Sequence, residues 1–221
     1  MISDAGDGEA RRQLVEMEQL RFVLGGMLGK DAIRREELEV TWPLVLFDDE
    51  KDRRAYALPT PFVEGGSTNL STTPSPAWRS EIARQLIEAN AGRMPLEIET
   101  ALADLFSTIE VRTTRVAIGA PPPGLSGARE REWAKIQMLA TLPEYAGRFR
   151  VYLKNLQGGD PSLAAFNTYN LSEAELNRRM NAYADAGKFE AVEVFGEAIN
   201  PSKEFYERRL PQPEVDALLP N

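Results

Sequence analysis

Neither histidine nor cysteine occurs in the 221 residues, and this decides which chemistry the chain can support. Imidazole-activated Ser or Cys nucleophiles are excluded. So are zinc, haem, copper and iron–sulfur sites built on imidazole or thiolate ligands. What remains is work by carboxylates, Lys, Arg, Ser, Thr or Tyr, or a metal held through oxygen alone. The residues that stand out are Glu81, Arg84, Glu99 and Asp104. Glu81, Glu99 and Asp104 could together hold a hard cation, although Arg84 would repel it. Glu81 and Arg84 lie three apart, and the plain reading is a surface ion pair worth about 0.3 kcal/mol. The sharper reading is a partly buried pair joined by Glu99 or Asp104, since burying a guanidinium requires such company.

These residues need two helices to hold them. Trp78, Ile82, Leu86 and Ile87 recur at helical spacing and predict a helix over 77–91, stopped by Gly92. Pro95 opens the next, with Leu96, Ile98, Ala101, Leu102, Leu105 and Phe106 inward. Before them, a helix is expected over 8–28, weakened at its end by Gly25 and Gly26, then a strand over 41–47 and a short helix around 50–57. Residues 58–77 carry four Pro, Gly65-Gly66 and many Ser and Thr, and read as a loop. Residues 109–118 alternate as a hairpin, and 119–127 form a Pro-rich connector. Helices follow near 128–141, 144–157 and 161–168, and another from the capping box Ser172…Glu175 to Ala186. A short strand is expected over 189–195, and a helix start after Pro213. Trp78 and Trp133 fit core positions better than a stacking platform for bases.

The expected class is α+β, a small sheet beside a predominantly helical body. One domain would span 1–210, strand-containing to about 118 and helical from about 125, with 211–221 as a tail. A net charge of -8, from 26 Lys+Arg against 34 Asp+Glu, argues against nucleic acid or an anionic membrane as partner. No apolar run approaches membrane-spanning length, and Ile2 to Asp7 after Met1 do not read as a signal peptide, which leaves the compartment open, export included.

The stretch from Trp78 to Thr108 resembles the active-site helix pair of gluzincin zinc metallopeptidases, the bacterial peptidase-MA-like proteins. In those proteins one helix carries His-Glu-x-x-His, and the next supplies a Glu as third ligand. The two His grip zinc from one helix face while the intervening Glu activates the metal-bound water. Aligned without a gap on Pro95-Leu96 and on Leu102-Ala103-Asp104-Leu105-Phe106-Ser107-Thr108, the first His falls on Ser80, the second on Arg84, and the third ligand on Thr100. The motif here reads Ser80-Glu81-Ile82-Ala83-Arg84, with only the general-base Glu81 kept.

The likeness continues more diffusely through Pro43–Phe47, Ile118–Gly124 and Phe149–Asp160. It implies a gluzincin-like core, a vestigial site with no zinc or other cofactor, and a role in binding a protein or peptide or as a structural module. Related proteins are often exported and continue into tetratricopeptide repeats, which makes a spacer beside such an array one alternative. A hydrolase with an oxygen-only site at Glu81, Glu99 and Asp104 is the other.

Overall fold

The computed structural model describes residues 2–3, 6–29, 44–46, 51, 62–64, 67–72, 76–205, 208–211 and 213–214. The long helix α1 (Asp7–Met27) buries Leu20, Val23 and Leu24, together with Leu28 just beyond it. It runs straight through Gly25 and Gly26, because apolar contacts on either side hold the turn that glycine alone would weaken. Gln19 is fully buried on α1. Its side-chain amide donates to the Glu197 carbonyl at 2.7 Å and accepts from the Glu197 N–H at 2.8 Å. A side chain thus satisfies two backbone groups that would otherwise be orphaned.

Four short strands form a mixed sheet: β1 (Ile2–Ser3), β2 (Leu44–Leu46), β3 (Phe62–Glu64) and β4 (Ser67–Thr72), in the order β1-β2-β4-β3. β1 and β4 run parallel to β2, and β3 closes one edge antiparallel to β4. The expectation of a loop over 58–77 is therefore overturned. Residues 62–64 and 67–72 are strands, and the next helix begins at Pro76. Glu64 pairs with Ser67 across Gly65-Gly66, a dipeptide that serves hairpins as well as loops. The Ser- and Thr-rich run is stabilised by ladders on both sides, which composition does not reveal. Most of the strand expected over 41–47 and of the helix expected over 50–57 lies outside the described residues.

The helices α2 (Pro76–Asn90) and α3 (Leu96–Leu105) follow as anticipated, joined by the short 91–95 link. Trp78, Ile82, Leu86 and Ile87 of α2 are buried, as are Ala101, Leu102, Leu105 and the following Phe106, and Ile98 packs partly buried against them. Leu96, expected inward, is instead 68% exposed, because it is the first residue of α3 and stands at the link end of the helix pair. The hairpin β5 (Glu110–Arg112) and β6 (Arg115–Ile118) comes next. Then come α4 (Gly127–Thr141), α5 (Pro143–Leu156), α6 (Pro161–Tyr169) and α7 (Glu173–Ala186). Asp160 caps α6 by accepting from the Leu163 N–H, and Ser172 caps α7 by accepting from the Glu175 N–H. Trp133 is fully buried on α4 against the edge of Phe189.

The strand β7 (Val192–Phe195) returns from the helical half to pair with β6, giving the antiparallel order β5-β6-β7. This sheet presents Val111, Val116, Ile118, Val192 and Val194 to one face, where Val116 and Ile118 join the core. Glu110, Arg112, Arg115, Glu193 and Phe195 lie on the other face. A short helix, α8 (Pro201–Glu204), was not expected. At the tail, Glu214 donates its backbone N–H to Pro211, and residues 215–221 lie outside the described set. The fold is α+β and mostly helical, and no described helix is long and apolar enough to cross a membrane.

Candidate functional site

Because α2 and α3 are antiparallel neighbours across a short link, one contact fixes how their faces meet. Ser80 Oγ donates to Asp104 Oδ1 at 2.9 Å. Arg84 follows Ser80 by one turn in α2, and Thr100 precedes Asp104 by one turn in α3. Thr100 is half-buried there.

Asp104 is 2% exposed. Its carboxylate is held in a bidentate fork by Arg129 of α4, with Nε to Oδ2 and Nη2 to Oδ1 both at 2.7 Å. The hydrogen bond to Asp104 raises the Arg129 pKa further, against a smaller effect of burial. Arg84 takes a different set of partners. Its Nε and Nη2 bond Glu81 Oε2 and Oε1 at 3.1 and 2.6 Å, and its Nη1 bonds Glu88. Gln85 adds a donor to Glu81 at 3.0 Å.

Burial works to raise the Glu81 pKa, but hydrogen bonds from Arg84 and Gln85, with the charge of Arg84, outweigh it and hold the carboxyl below its ordinary range. Glu99 moves the other way. Burial first, then the negative charge of Glu88, raise it against the opposing pull of Arg84.

Five of the six sequence-derived residues therefore divide into two groups, and Thr100 joins neither. Ser80 and Asp104 form one, completed by Arg129. Glu81 and Arg84 form the other, completed by Gln85 and Glu88, with Glu99 close enough to feel Arg84 and Glu88. The ion pair lies between the two readings the sequence left open. It is local to one helix, yet the Arg84 side chain is only 33% exposed and Glu81 24%. Asp104 does not join it. Glu81, Glu99 and Asp104 also fail to gather on a point, and no group of three or more such ligands capable of holding a metal is found among the described residues.

The donor set at Ser80, Arg84 and Thr100 does not fit a zinc ion, since a guanidinium carries permanent positive charge and offers no lone pair. Sequence reasoning missed Arg129 and Glu88. Glu88 was accessible as the i+4 neighbour of Arg84, whereas nothing local ties Arg129 to Asp104, 25 residues away. No family model matches the chain, and neither does any curated protein or solved structure.

Proposed function

We propose that this chain is a non-catalytic relative of the gluzincin metallopeptidases, serving as a protein- or peptide-binding or structural module. The observation that carries the reading is the Ser80–Asp104 hydrogen bond. In metal sites, a ligating His donates its second ring N–H to a buried carboxylate that orients it. Asp104 stands in that relation to Ser80, the residue at the first His position, and lies one turn beyond Thr100, at the third-ligand position. On this reading Asp104 is an orienting carboxylate that outlasts the ligands it served.

Glu81, at the general-base position, supports the same reading. A general base works best with its pKa near the operating pH and a lone pair aimed at substrate. Here both carboxylate oxygens are occupied by Arg84, and the pKa is lowered. Without a Lewis acid to activate water, Glu81 has no route to peptide hydrolysis at a useful rate.

Two experiments test this. The wild-type chain should cleave no unstructured peptide with or without zinc; zinc-dependent cleavage abolished in Glu81→Gln would overturn the non-catalytic reading. The triple variant Ser80→His, Arg84→His, Thr100→Glu should gain a zinc-dependent rise in melting temperature. If zinc leaves the folded triple variant unchanged, the three positions do not converge and the relationship is wrong.

A further inference from the structure

The strand β5 is an edge of the β5-β6-β7 sheet, and its register leaves specific backbone groups facing outward. Arg112 and Arg115 flank a two-residue loop, so they form the hydrogen-bonded pair that closes the hairpin. Val111 opposite Val116 is then a non-hydrogen-bonded pair, and the Val111 N–H and C=O point away from β6. The β6–β7 ladder agrees, because Gly196 donates to the Thr114 carbonyl at 3.0 Å, putting the even-numbered groups of β6 on the β7 side. Among the described residues, nothing pairs with the outward groups of Val111. An open groove of about 490 Å³ runs beside the strand, lined by Thr108 to Arg112 and walled by the Glu16–Arg79 ion pair.

Such an edge is a template for another strand. The three residues of β5 read Glu110-Val111-Arg112, and this order is self-complementary in charge. A second β5 laid antiparallel about a two-fold axis through Val111 sets Glu110 opposite the Arg112 of the other copy, and Arg112 opposite its Glu110. The two Val111 residues then exchange both of their outward hydrogen bonds. Glu110 and Arg112 share the solvent face and already bond one another at 2.9 Å, so both are positioned for the swap.

We infer that β5 pairs with β5 of a second copy of this chain, joining two three-stranded sheets into one across a two-fold axis. The inference does not depend on the reading of the α2–α3 site.

Sedimentation equilibrium on the full chain tests it. The wild type should dimerise. Arg112→Glu and Glu110→Arg, each placing like charges opposite one another, should weaken the dimer about tenfold or more. Mixed in equal amounts, these two variants should form a heterodimer at least as tight as the wild type, because every cross-pair is again opposite in sign. Val111→Pro removes the outward N–H without touching the β5–β6 ladder, and should abolish pairing while leaving the circular dichroism spectrum unchanged. A monomer up to about 1 mM overturns the proposal. So does a dimer indifferent to both charge reversals, or a failure of the mixture to restore association. If Val111→Pro does not fold, the charge reversals on the exposed face decide alone.

Discussion

Ser80 on α2 and Asp104 on α3 are joined by a 2.9 Å hydrogen bond, and the same carboxylate is clamped from the other side by Arg129 on α4. Three helices thus meet on a single buried anion. Removing Asp104 as Asp104→Ala should destabilise the fold by about 2 kcal/mol, from the lost charge-assisted bonds and an unsatisfied Ser80 hydroxyl. Arg129→Ala should cost about 1–2 kcal/mol, because the Arg129 side chain is 59% exposed and water replaces part of what its guanidinium supplies to Asp104. The double variant Arg129→Ala, Asp104→Asn should recover part of that loss. Urea midpoints of Arg129→Ala, Asp104→Asn and the double variant test this, and strict additivity would show that the Asp104 charge is not what Arg129 compensates.

Glu99 makes stability depend on pH. Its folded-state pKa is raised, by burial and then by Glu88, above the ordinary value of 4.5. The folded state therefore holds its proton more tightly than the unfolded state, and stability falls as pH rises from about 4.5 through the raised value. Glu99→Gln should melt higher than the wild type at pH 7, with the gap closing below pH 4.5. Glu81, whose pKa is lowered, has the opposite sign: its contribution is present above 4.5 and is lost as pH falls through its depressed value. A melting-temperature profile in which Glu99→Gln tracks the wild type at every pH would refute the assignment.

At the tip of the β5–β6 hairpin, Thr113 has φ 58°, a region that a β-branched residue rarely enters. Thr113 is the first of the two loop residues, where type II′ turns place glycine. Relieving about 1–2 kcal/mol of strain, less about 0.5–1 kcal/mol of added freedom in the unfolded chain, leaves Thr113→Gly more stable by about 0.5 kcal/mol. Thermal unfolding should show a small rise in melting temperature, and a fall would mean the turn is not strained.

Gly196 just beyond β7 has no room for a side chain. A Cβ there would lie 2.3 Å from Gln19 Oε1 and 2.8 Å from Val116 Cγ2. Gln19 cannot swing aside without breaking both bonds to Glu197. Gly196→Ala should therefore cost about 1–3 kcal/mol, in the range of overpacked cores. Adding Gln19→Ala should relieve the clash with Oε1 but leave Glu197 unsatisfied, so the double variant should stay below the wild type in chemical denaturation.

The sequence by itself determined what depends on neighbours along the chain. The apolar repeat placed α2, α3 and the helices from α4 to α7, and Ser172 with Glu175 marked the start of α7. The absence of His and Cys by itself removed imidazole and thiolate chemistry. Spacing alone paired Glu81 with Arg84, since a helix brings residues three and four apart into contact.

The tertiary structure decided the rest. Strands β3 and β4 hid in a stretch rich in Ser, Thr, Pro and Gly, because a strand is stabilised by backbone partners that lie elsewhere in the chain. The same holds for Gln19, which closes on Glu197 across 178 residues, and for Asp104, which belongs to Arg129 and not to Arg84. Periodicity shows which face of a helix is apolar, but not which charged side chain the packing of a third helix brings over that face.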